Sequence, residues 1–149
     1  MLKARHIMRR KVVTVHPDAT MGDALDLLIQ ARISGLVVAD RAGKPLGVIS
    51  EYGLLAAAYD EGILDDPVSE HMTRDLICVE EGDSLRRIAD LCVIHRVRRL
   101  PVVRGGKLVG LISRRDLLRG VRRASARRSR PKPPAPQQAE TSSRLIEDL

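Results

Sequence analysis

An α+β fold of two β-α-β-β-α repeats, packed about a pseudo-two-fold axis, is the architecture the sequence predicts. Three observations carry it: an internal repeat, the same helical periodicity in both copies, and matching pairs of β-rich runs. At an offset of 64, Met8 aligns with Met72, Val15 with Val79, Asp26 and Leu27 with Asp90 and Leu91, Arg32 with Arg96, Leu36 with Leu100 and Val38 with Val102. One residue is then dropped. At an offset of 63, Gly43 and Lys44 meet Gly106 and Lys107, Gly47 meets Gly110, and Ile49 and Ser50 meet Ile112 and Ser113.

Taken in order, Val12 to Val15 is a short β-rich run. Met21, Ala24, Leu25, Leu28 and Ile29 then fall on one face of a helix, with Thr20 and Asp23 as a capping box at its start. Leu36 to Ala39 and Leu46 to Ile49 are the next strands, joined through a loop with Gly43, and a helix is expected from Ser50. The second copy repeats the plan. Leu76 to Val79 is its first strand, and Leu85, Ile88, Ala89, Cys92 and Val93 line the helix face behind the N-cap Ser84. Leu100 to Arg104 and Leu108 to Ile112 form a hairpin turned at Gly105 and Gly106, and a helix from Ser113 runs out near Ala126. Three strands leave too much apolar surface for one unit alone, so the two units are expected to share their packing. Residues 3–60 are read as the first repeat, 61–67 as a linker, 68–120 as the second repeat, and 121–149 as a basic, then Pro-rich, disordered tail.

The 149 residues suit one compact body or two small halves with a joint core. The core must be aliphatic, because Phe and Trp are absent and the rings are limited to Tyr52 and Tyr59. That argues against single-strand nucleic-acid recognition by the core, which relies on exposed aromatic platforms. Of the net charge of +7, residues 119–149 hold +5, so most of the basicity belongs to the tail. Lys3, Arg5, Arg9, Arg10 and Lys11 interrupt the N-terminal stretch, so neither a signal peptide nor membrane insertion is expected, and a cytoplasmic location follows as the expectation. Cys78 and Cys92 read as buried thiols, and the four histidines share no metal-ligand spacing, so no metal is expected.

The doubled order of motifs, with Leu100 Pro101 Val102 Val103 in one strand and Gly110 Leu111 Ile112 Ser113 Arg114 Arg115 Asp116 at the exit of the next, resembles a tandem pair of cystathionine β-synthase (CBS) domains over residues 3–120. The resemblance implies a Bateman module: a homodimerising regulatory unit, not a catalyst, that binds adenosine nucleotides (AMP, ADP or ATP) between its repeats and signals to a partner protein. S-adenosylmethionine ranks behind these as a ligand.

Residue chemistry agrees with that implication. An ionised Asp116 is acceptor-only with two oxygens, suited to both hydroxyls of a ribose, and Ser113 stands one turn earlier. Arg98 and Arg99, at positions where the family carries phosphate contacts, and Arg115 beside Asp116 supply cations. Leu76, Ile77 and the strand opened by Pro101 would hold adenine without stacking on rings. In the first copy Ser34, Gly35, Glu51 and Tyr52 replace the basic residues, and Gly53 replaces the carboxylate. Ser50, Gly53, Val12 and Val13 therefore mark a degenerate first site.

Each of these residues also has a plainer reading. Ser113 with Asp116 is spaced as a helix capping box, and scattered arginines usually make a solvated face. A second functional class is an adaptor that holds RNA, DNA or protein through the seven cations between Arg119 and Lys132. An enzyme is the weakest reading, because no acid/base pair or nucleophile arrangement stands out.

Overall fold

The computed structural model describes residues 1–127, so the Pro-rich part of the expected tail lies outside the described residues. Each repeat contributes one three-stranded sheet. In the first, β1 (Thr14–Val15) runs parallel to β2 (Gly35–Ala39), which pairs antiparallel with β3 (Pro45–Ser50). The second repeats the order with β4 (Val79–Glu80), β5 (Arg99–Arg104) and β6 (Lys107–Ser113). Gly105 and Gly106 close the last hairpin with φ of 57° and 78°, the left-handed pair that a tight two-residue turn requires.

The helices begin where the caps place them. Of α1 (Ala4–Ile7), α2 (Met21–Ala31), α3 (Glu51–Leu54), α4 (Val68–His71), α5 (Leu85–His95) and α6 (Arg114–Ala126), the two long central ones, α2 and α5, are equivalent through the repeat. Both run 11 residues from an N-cap hydroxyl, Thr20 or Ser84, to a left-handed C-cap, Arg32 or Arg96.

The expected first strands are shorter than their β-rich sequences. Val12 and Val13, and Leu76 and Ile77, precede β1 and β4 and leave the sheet, because the parallel ladder with β2 and β5 involves only two residues of each strand. The expected helix from Ser50 is a single α-turn followed by a 3-10 turn, Leu55–Ala58, and the linker holds another, Glu61–Asp65. At the other end α6 runs to Ala126, the extent expected for the helix from Ser113, so residues 121–126 are helical. Gly120 is buried on that helix, and Arg123 donates to the His6 carbonyl at 3.1 Å, tying the last turns to α1.

The two cores are closed by an exchange of leading segments. Ala4, Ile7 and Met8 pack in the core of the second repeat with Val79, Ile88 and Leu100, while Val68 and Met72 pack in the core of the first with Val15, Met21 and Leu36. The backbone follows the same symmetry. Ala4 N–H donates to Asp83 O and Val68 N–H to Ala19 O; Arg9 pairs with Leu111 as Thr73 does with Val48. Room for the crossing comes from glycine. A Cβ on Gly47 would stand 2.6 Å from the Thr73 carbonyl, and one on Gly110 would stand 2.8 Å from Met8 Cγ.

Candidate functional site

Arg9, Lys11, Val12 and Val13 ahead of β1 and Asp75, Leu76 and Ile77 ahead of β4 line a cleft of about 1040 Å3 between the repeats. Its walls are aliphatic, from residues such as Leu28, Ile33, Leu36, Leu54 and Val97, and its cations outnumber its carboxylates six to three. Arg9, Lys11, Arg32, Arg98, Arg99 and Arg115 face Glu51, Asp75 and Asp116 there, which gives the cleft a positive field suited to an anion.

Asp116 is the buried charged residue of this region, with 5% of its surface exposed. It is held by the start of α6. Ser113 N–H donates to Oδ2 at 2.9 Å, and Asp116 N–H donates to Ser113 Oγ at 3.1 Å, so the capping box is formed. Oδ1 accepts from Arg9 Nε at 3.3 Å and from an Arg119 guanidinium nitrogen at 3.2 Å. Burial alone would raise the pKa of this carboxyl. Hydrogen bonds from the Ser113 backbone and side chain and from Arg9, with the Arg9 charge, outweigh that and hold it below the ordinary carboxylate value.

All eight residues named for the second-repeat site, Asp116, Ser113, Arg98, Arg99, Pro101, Leu76, Ile77 and Arg115, line this one cleft. Val12 and Val13 of the degenerate set line it too, so the space is continuous across both repeats. Ser50 and Gly53 are not among its lining residues. Ser50 Oγ accepts from Gly53 N–H at 3.2 Å, a cap without the reciprocal carboxylate. Arg99 crosses the cleft, and its guanidinium donates to Ser34 Oγ in the first repeat.

Arg9 and Lys11 were not anticipated in the cleft. In sequence they belong to a charge run, and Arg9 stands 107 positions from Asp116. The one trace of their role is the Met8 and Gly110 repeat identities, which mark where the leading segment crosses β6. Away from the cleft, Asp66, Glu70 and His71 bring ligand-type atoms within 4.8 Å of one another. His71 Nε2 and Asp66 Oδ2 already pair there at 2.7 Å, which accounts for their approach. Cys78 and Cys92 are free and half-buried, and burial raises both thiol pKa values. Among the described residues no helix is long and apolar enough to cross a membrane.

Comparison with known proteins returns the same architecture. The family model described as CBS domain matches twice, at residues 4–60 and 68–123. The inosine-5'-monophosphate dehydrogenase of Methanocaldococcus jannaschii is 33% identical over 121 residues, which are 78% of this chain but 23% of that enzyme. CBSX2, a protein of Arabidopsis thaliana solved in complex with AMP, is 30% identical with a TM-score of 0.74, over 84% of this chain and 99% of that one. A CBS-domain containing protein from Agrobacterium tumefaciens, ATU1752, is 29% identical with a TM-score of 0.68, over 80% of this chain and 99% of that one.

Proposed function

The chain belongs to the CBS-domain family, and from that premise we propose that it is a non-catalytic regulatory module binding an adenosine nucleotide between its repeats, mainly at the second-repeat end. The observation that carries this reading is Asp116: a buried, ionised carboxylate at the wall of a cationic cleft, fixed by its own helix cap. In such a site Asp116 and Ser113 receive the ribose hydroxyls, and Arg98, Arg99 and Arg115 meet phosphate. Leu76, Ile77 and Pro101 flank the base. The AMP held by CBSX2 supports an adenosine ligand here. Because the dehydrogenase relative is matched over 23% of its length, its chemistry does not carry over.

Isothermal titration of ATP, ADP, AMP and S-adenosylmethionine into the full chain tests this. Saturable heat from the nucleotides, lost in Arg98→Ala/Arg99→Ala, is the expected result; no heat from any of the four would sink it. A homodimer is part of the same reading. Exposed Ile29, Val93, Ile94 and Leu118 supply apolar helix surface for a second copy.

A second reading has one observation in its favour. Arg119, Arg122, Arg123 and Arg127 are exposed along α6 and continue the basic run, as an RNA- or DNA-holding adaptor would require. Truncation after Gly120, which removes all of that run but Arg119, discriminates: the adaptor loses nucleic-acid affinity, whereas the sensor keeps its nucleotide affinity.

A further inference from the structure

Resting on the nucleotide reading of the cleft, we infer that Arg9 is a built-in competitor of the ligand: its guanidinium holds the carboxylate oxygen of Asp116 that a ribose diol needs, and ligand entry turns it away.

The argument is one of acceptor capacity. A carboxylate offers about four lone-pair sites. Ser113 N–H takes one on Oδ2, while Arg9 and Arg119 both donate to Oδ1. A diol that binds bidentately asks one acceptor of each oxygen, and Oδ1 is already filled by two guanidiniums. One of them must leave. Arg119 is on the same helix as Asp116 at i+3 and does not line the cleft, whereas Arg9 does. The ligand therefore meets Arg9.

Arg9 is also built to move without disturbing the fold. Its backbone is pinned to β6, with N–H donating to Leu111 O and Leu111 N–H returning the bond, both at 2.9 Å. Its side chain is 64% exposed, so only the guanidinium has to swing. Once freed, it remains a cation at the rim of a cleft that must take phosphate. The same residue then opposes the nucleoside part of a ligand and favours the phosphate part. Arg9 thus selects phosphorylated adenosine over the free nucleoside, a specificity that Arg98, Arg99 and Arg115 alone would supply only by attraction.

Titration of adenosine and ATP into wild type, Arg9→Met and Arg9→Lys tests this, with thermal unfolding of each variant alongside. Met keeps the stem of the side chain and removes the charge. Loss of one charge-assisted bond should tighten adenosine binding by roughly tenfold in Arg9→Met while ATP gains less, narrowing the preference for ATP; Arg9→Lys should fall between. Unchanged adenosine affinity with weakened ATP would make Arg9 a phosphate contact alone and overturn the competition. Equal weakening of both ligands with a lowered Tm would make Arg9 structural and overturn it too. Absence of binding by wild type and variants alike would instead defeat the nucleotide reading itself, and the competition with it.

Discussion

Asp116 keeps its charge in a buried position because donors surround it, and its capping role can be separated by experiment from the ribose-binding role proposed for it. As a cap it satisfies the start of α6, so Asp116→Ala should cost about 1 kcal/mol, read as a small fall in Tm. As a ribose acceptor it should be indispensable. The same variant is expected to lose nucleotide heats in titration while its far-UV circular dichroism stays that of wild type. The pKa of Asp116 is lowered in the folded protein, so its contribution to stability is present above the ordinary carboxylate pKa and is lost as pH falls through the lowered value. Asp116→Asn, which cannot titrate there, should flatten the acid limb of a Tm-against-pH profile. Parallel acid limbs in the two proteins would show that Asp116 is not strengthened by its neighbours.

At the scale of elements, α3 and α6 are equivalent through the repeat but are capped differently. Both helices start at a serine N-cap, but the reciprocal partner at the third helical position is Asp116 in one and Gly53 in the other. The helix with Gly53, α3, stops after 4 residues, and the helix with Asp116, α6, runs 13. Glycine also carries an entropic cost of about 1 kcal/mol in a helix. Gly53→Asp should therefore stabilise, since a Cβ there meets nothing nearer than Ser50 Oγ at 3.7 Å. A rise in Tm of a few degrees is the expected outcome, and a fall would mean that the glycine serves close packing. These comparisons also show what the sequence could convey. The long helices were legible because period and cap agreed at both Thr20 and Ser84. Val12, Val13, Leu76 and Ile77 were β-rich yet lie outside the strands, because a residue's propensity does not say whether a partner strand reaches it. The eight residues named for the second-repeat site share the cleft since the repeat fixed their places on the fold. Arg9 escaped notice because its partner is set by a crossing that no local pattern encodes.

For the whole molecule, that crossing decides how stability is shared. Four-residue helices such as α1 and α4 have no periodicity to announce them and would not persist alone. They form because each is captured by the opposite repeat: Ala4 and Val68 are both fully buried, and each lies in the core to which its own repeat does not belong. A repeat cut from the chain would therefore take its leading segment with it and leave its core open. The two repeats should unfold as one cooperative unit. Val68→Ala puts this to a local test. By sequence Val68 opens the second repeat, but its side chain touches the core of Met21, Leu36 and Ile49. Truncation at so buried a site should cost about 2 kcal/mol. If the exchange governs packing, amide hydrogen exchange in Val68→Ala should accelerate first in α2 and β2, ahead of α5 and β5. Faster exchange confined to the second repeat would show that the leading segment stabilises its own unit, and the coupling of the two halves around the cleft would have to be sought elsewhere.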